Sequence, residues 1–523
     1  MKMKNKMTKI FAYAASALLV SSLAGCTAHF EDLNTNPCGP TPEQMLGDNA
    51  STGALIKNMV MAMAQGQQNN SQMIDQMVGA EYGGCISCIN PWGNGGNFYT
   101  YNPRTGWSGI PFDTTMPQIY TGLFQIKDMA GENSLAFQWA QVIRVAAALR
   151  VSDCYGPIPY SKINGSDFNV AYDKGEEMVN AMFADLDAAI AYLAGVVASG
   201  EDMSLLGQYD PVYNGDFTKW VKFANTLKLR IAMRYSNAMP DVARTKAEEA
   251  VSHAIGVMTE ASDAAWNSFN DGMNPFYRAA YTWNGGELRV SANITSYMSG
   301  YADPRLTKYA ANAKNGSGLT GVRNGIFQNA ASFAAYQECS NIGIAEGDPL
   351  LIMSAAEAWL LRAEGALKGW AMNGSAQTLY ESGVKVSMEE RGVNLGNYLE
   401  SSATPAAYSD PVNSSNSCNA VSSVTPKWAS STEENLEQIM VQKWLASYPS
   451  GWEAWSDRRR TGYPKFLPIV NNLNTDGVSG SGPMARLPYP QSEYNTNAEN
   501  LKAAVAALGG EDKSSTKLWW AKK

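Results

Sequence analysis

The sequence predicts a mainly α protein of tetratricopeptide-like helix pairs, with long irregular loops and few short strands. Three observations carry that expectation. Apolar residues recur at helical spacing in nine segments, strand-like alternation is confined to short pieces, and several connections are long and rich in Gly, Asn and aromatic residues. Of 523 residues, 45% are hydrophobic, 17% charged and 10% aromatic, the balance of an ordinary folded chain. With 40 Lys and Arg against 48 Asp and Glu the chain lacks a basic footprint, so nucleic acid is not an expected partner. Two histidines, His29 and His253, leave little material for a Ser-His-Asp triad, a Cys-His pair or a multi-His metal site, and no cofactor is expected.

The first element is a targeting segment. Lys2, Lys4, Lys6 and Lys9 precede the apolar stretch from Ile10 to Ala24, which is too short and too rich in Ala and Ser to span a bilayer. Leu23-Ala24-Gly25-Cys26 then has the form of a lipobox: small residues admit the peptidase, and the Cys26 thiol takes the lipid. Residues 1–25 are therefore expected to be a lipoprotein signal peptide, and 26–42, polar and Pro-containing, a lipidated tether. At about 0.8 kcal/mol per buried CH₂, two or three acyl chains on Cys26 anchor a protein durably without a transmembrane helix.

From 43 to 523 the pattern is that of one α-helical binding domain, with helices expected at about 43–64, 117–130, 135–152, 173–195, 216–237, 241–257, 349–370, 375–391 and 433–448. Asp216 is placed to cap the fifth. Ser354, with Glu357 three residues on, has the pattern of a capping box. Behind it Ala356, Leu360, Ala363 and Leu367 fall on one face, alternately small and large, where a second helix can approach closely. Pairs of this kind suggest stacked repeats, although no clean repeat is visible. Cys85-Ile-Ser-Cys88 has redox or zinc spacing, but it stands without a second pair or a His cluster, so a local disulfide or buried thiols are expected.

Long excursions separate the helices at 79–116, 262–300 and 395–432. The first carries Trp92, Asn94, Tyr99, Tyr101 and Trp107; the second Trp266, Phe276, Tyr277, Tyr281 and Trp283. An aromatic ring can lie on the C–H face of a pyranose while neighbouring amides and charged groups bond its hydroxyls. On that chemistry Trp92, Asn94, Tyr99 and Tyr101, with Tyr277, Tyr281 and Trp283, are the expected ligand contacts.

Three stretches resemble the SusD/RagB-like outer-membrane lipoproteins: Phe30-Glu31-Asp32-Leu33-Asn34-Thr35-Asn36-Pro37, the run from Asp348 to Glu364, and the C-terminal group of Gln442-Lys443-Trp444, Gly451-Trp452-Glu453-Ala454-Trp455, Arg459-Arg460-Thr461-Gly462-Tyr463-Pro464 and Arg486-Leu487-Pro488-Tyr489-Pro490. The resemblance implies a SusD-like fold, placement on the exterior of the outer membrane, and a SusC-like TonB-dependent transporter as partner, to which captured glycan or peptide is delivered. It also implies that ligands lie against aromatic residues of the irregular face. The motif residues Glu357, Arg362, Glu364, Arg458, Arg459 and Arg460 are expected to tie helices together as ion pairs worth about 0–1 kcal/mol each if exposed, and the triple Arg is not expected to be a phosphate site.

Three other readings stay open. A surface glycoside hydrolase would need two carboxylates, with Asp263, Asp271, Glu287 and Asp303 near the aromatic loops. A lid that captures peptides, or that only seals a transporter, would bind no glycan. Loop oxygens near Asp271 and Asn274 could hold Ca²⁺, although no EF-hand spacing supports it.

Overall fold

A computed structural model describes residues 49–91, 96–167, 169–268 and 272–522. The signal peptide, Cys26, the tether, Trp92, Asn94 and Asp271 lie outside them. The chain divides into two units, Met1–Ser51 and Thr52–Lys523, and the second holds every element below except the start of the first helix.

Among the described residues ten helices form the frame: α1 Ala50–Val60, α2 Ile110–Ala130, α3 Leu135–Tyr155, α4 Gly175–Ser199, α5 Phe217–Arg234, α6 Pro240–Ser252, α7 Ala355–Leu367, α8 Ala376–Glu390, α9 Thr432–Ala446 and α10 Trp452–Thr461. Neighbours in sequence pack as hairpins, α2 on α3, α5 on α6 and α7 on α8, while α4 lies against both α3 and α5, and α7 against α5 and α9. By length and composition α4 could cross a membrane, yet Met178, Val179, Met182, Phe183 and Leu186 are buried within this packing. The α7–α8 hairpin closes as its small-and-large face requires. A Cβ on Gly383 would sit 2.8 Å from the side chain of Leu360, so this helix pair is held together by the absence of a side chain.

The expected starts are partly realised. Asp216 accepts from the Lys219 amide, as the cap position requires. Ser354 accepts from the Ala356 amide, but Glu357 does not return to close a capping box; its carboxylate goes to Arg230 of α5. A buried arginine competes better for that carboxylate than a backbone N–H. The segment expected as helix from 349 opens instead as a strand.

The described residues include four short strands: β1 Ile86–Cys88, β2 Ala265–Asn267, β3 Leu288–Val290 and β4 Leu350–Met353. They form two antiparallel pairs, β1 with β3 and β2 with β4. In the first pair Ile86 faces Val290 and Cys88 faces Leu288, which joins the first aromatic excursion to the second. Cys85 is a free buried thiol, so it closes no disulfide with Cys88, and burial pushes it up to about 12.

The charges of the motifs lie inside the frame. Arg230 holds Glu357 at 2.7 Å, Arg234 holds Glu453 at 2.6 Å and also pairs with Asp153, Lys443 holds Asp457 at 2.9 Å, and Arg460 holds Glu364 at 2.5 Å. Five helices are thereby tied, α3, α5, α7, α9 and α10. The exposed-pair energy is the wrong scale here: removing one member of a buried pair costs about 3–5 kcal/mol, since it strands the other charge. Burial by itself raises Glu453, but the field of Arg230, Arg234 and Lys443 overrides it and holds the carboxyl well below the usual range. Arg362, Arg458 and Arg459 are exceptions: Arg362 lies over Trp359 at 4.3 Å and donates to the carbonyls of Met372 and Asn373, Arg458 donates to the Ser481 carbonyl, and Arg459 to the Asp153 carbonyl.

Candidate functional site

Two of the expected ring platforms are core residues. Phe98–Thr100 forms a 3₁₀ turn and Tyr101 follows in the left-handed conformation, φ 58°, which turns the segment inward. Tyr99 is 2% exposed and Tyr101 5%. The Tyr101 hydroxyl donates to the Gly482 carbonyl at 3.1 Å, and its ring meets Tyr82 edge-on at 5.8 Å. Neither has a face to offer a sugar. An aromatic ring in an irregular loop satisfies either role, and which one it takes depends on what packs over it.

The second excursion behaves differently. Asn274 caps the turn Pro275–Tyr277 by accepting from the amides of Phe276 and Tyr277, and its amide donates to the Asp348 carbonyl. These bonds give the Asn274 side chain a structural task; Asp271, named with it for Ca²⁺, lies outside the described residues. Tyr277 and Tyr281 then stack with centroids 4.7 Å apart, and the Tyr281 hydroxyl donates to the Ile342 carbonyl at 2.6 Å. Next come Asn284, Gly285 and Gly286, all with positive φ. A Cβ at Gly286 would stand 2.3 Å from the Ala280 carbonyl oxygen, so only glycine allows this reversal. The turn leaves Trp283 39% exposed and brings Asn284 back over Glu287.

Trp283 forms one wall of a cleft of about 150 Å³ that also includes Gln72, Met73, Asn90, Trp107, Asn284 and Glu287. Three separate segments meet there: the π-helical run Gln72–Ala80, the first excursion and the second. Trp107 is half-buried, with the guanidinium of exposed Arg104 over its ring at 4.9 Å. Glu287 is buried and faces no cation among the described residues. Instead its carboxylate accepts from three amides, Asn90 at 2.8 Å, Asn284 at 2.9 Å and Gln72. Burial raises this carboxyl, and the three N–H donors only partly offset the shift.

Each of those amides gives Glu287 one N–H, which leaves its side-chain oxygen and second N–H for another partner. The cleft therefore combines two aromatic faces with fixed, uncharged donors and acceptors, the complement of a neutral polyol. Among the described residues lining it, Glu287 is the one carboxylate. Of the other carboxylates considered from sequence, Asp263 pairs with Lys222 at 3.0 Å and Asp303 with Arg305 at 2.6 Å, while Asp271 lies outside the described residues. Sequence reasoning passed over Gln72 and Asn90, which carry no local signal, and named Trp107 and Glu287 without placing them together as a binding site.

A family model described as SusD-like, SusD and RagB outer membrane lipoprotein, matches residues 32–521. No curated protein matches the chain. Among solved structures, a chitin-binding SusD homologue from Flavobacterium johnsoniae superposes with a TM-score of 0.86 at 34% identity, over 90% of this chain and 98% of its own. A SusD-like protein from Bacteroides thetaiotaomicron gives 0.86 at 36% identity, over 90% and 99%. A SusD homologue from Bacteroides uniformis gives 0.84 at 36%, over 90% and 99%. The fold expected from the helical pattern is thus shown, and the family description places the protein at the outer membrane. With a family match across nearly its whole length and relatives of this similarity, the chain belongs to the SusD-like family of SusD and RagB outer-membrane lipoproteins.

Proposed function

We propose that the protein is a binding protein, not an enzyme, which captures a neutral glycan at the cell surface and delivers it to a SusC-like TonB-dependent transporter. It is held to the membrane by lipid on Cys26 after removal of 1–25, and residues 26–42 form the tether. The observation that carries this reading is the cleft in which Trp107 and Trp283 flank amides fixed by Glu287. A ring face and preset amides recognise a sugar; a glycosidase needs a second carboxylate across the bond, and the described lining supplies one. The chitin-binding relative makes N-acetylglucosamine oligomers the first ligand to try.

The test is titration calorimetry of the chain without its lipid anchor, against chitin oligosaccharides and then other neutral polysaccharides. Saturable binding to one glycan class is expected, and Trp283→Ala should weaken it by about 2 kcal/mol, as removal of a buried aromatic anchor does. Silence across the panel, or equal affinity in Trp283→Ala, would sink the assignment.

A further inference from the structure

Arg460 spends its charge on Glu364 and Asp457, but its two neighbours make no ion pair with any described residue. Arg458 and Arg459, both more than nine-tenths buried, line a cavity of about 380 Å³ whose exposed edge carries Lys517 and Lys522, with Ser479 and Ser515 between. Every ionisable side chain in that lining is a cation. Arg458 donates to the Ser481 carbonyl at 2.8 Å and lies beside the Tyr101 hydroxyl. Arg459 donates to the carbonyls of Asp153, Ala485 and Trp455 and to the Ser456 hydroxyl, and it stacks on Trp455 at 3.7 Å. Lys517 and Lys522 each donate to one carbonyl, of Lys522 and Thr461 respectively.

Four positive charges are thus gathered against neutral oxygens in an acidic protein. The carboxylate with the strongest influence on Arg459 is that of Asp153, which is already shared between Arg234 and the Ser456 hydroxyl. Burying a guanidinium without a counter-charge is unfavourable unless something repays it. The N–H groups that Arg458 keeps beyond Ser481 and Tyr101, the one N–H left on Arg459, two exposed ammonium groups and two serine hydroxyls form the donor set of an oxyanion site. We propose that this cavity binds one oxyanion, either free sulfate or the carboxylate of a sugar acid, independently of the aromatic cleft.

Titration calorimetry of the chain at constant ionic strength, with sodium sulfate, sodium glucuronate and uncharged glucose, tests the proposal. Saturable one-to-one binding of sulfate or glucuronate, with none of glucose, is expected; sulfate alone would name the free anion as occupant, and glucuronate alone the sugar acid. The Lys517→Gln, Lys522→Gln double variant alters only exposed side chains, and it should weaken binding about tenfold or more through loss of two charge-assisted bonds. Lys517→Glu should do so singly, while Trp283→Ala should leave the anion affinity unchanged. No saturable heat with either anion would overturn the proposal. So would undiminished affinity in both lysine variants whose circular dichroism shows them folded, or loss of anion binding in Trp283→Ala.

Discussion

Glu364 and Glu287 are both 1% exposed, yet they solve burial in opposite ways. Glu364, in the helical frame, meets Arg460 head-on with two N–H donors. Glu287, at the base of the cleft, meets three amides and no cation. A paired carboxylate fixes one helix against another, and its partner is used up in doing so. A carboxylate answered by amides fixes those amides, each of which keeps an acceptor and a donor for something else. The same contrast separates the tyrosines of the two excursions: Tyr101 is sealed under Tyr82, whereas Tyr281 stays exposed at the start of the turn that presents Trp283.

The comparison can be broken most forcefully in the frame. Glu364→Ala leaves Arg460 buried with Asp457 as its carboxylate partner and is expected to lower unfolding free energy by about 3–5 kcal/mol, read from urea denaturation. If the loss were below about 1 kcal/mol, the frame pairs would be behaving as exposed ones.

Glu81 sharpens the contrast through pH. It is a second buried carboxyl answered only by uncharged donors, Asn324 at 2.8 Å and the Cys88 amide at 2.9 Å, and burial pushes it up to about 8. Between its unfolded value, near 4.5, and about 8 the native state holds the proton that the unfolded state has released. Its contribution to stability is therefore present at low pH and falls as pH rises through that window, by at most about 1.4 kcal/mol per unit. Glu81→Gln should flatten that slope in denaturation curves taken from pH 5 to 8; an unchanged slope would show that Glu81 is already ionised in the native state.

Trp283→Ala, costing about 2 kcal/mol of glycan affinity with little change in melting temperature, tests whether the exposed ring is a platform. The smallest effect is expected from Tyr101→Phe. It removes one buried hydroxyl and its bond to Gly482, worth about 1 kcal/mol of stability, and it should leave glycan affinity as it was. A drop in affinity there would return Tyr101 to the ligand face.

Much of the frame was legible in sequence because helices are local. The spacing of Ala356, Leu360 and Ala363 marks a packing face whatever it packs against, and Asp216 caps its helix with a group three residues away. The cleft was legible only in part. Trp283 could be singled out as an aromatic residue of a long irregular loop, but Tyr99 and Tyr101 look the same on paper and fold inward. The Ser354–Glu357 spacing reads as a cap until Arg230, 127 residues distant, claims the carboxylate.

The mainly α class, the position of most helices, the long aromatic excursions and the motifs that mark the family follow from residue order, because each is written in spacing along the chain. Tertiary structure alone decided which rings remain exposed, which charges are paired and which cations stand without a carboxylate. Those outcomes depend on what is laid over each side chain, and the partners come from far away: Gln72 reaches Glu287 across 215 residues, a distance over which local pattern carries no information about burial.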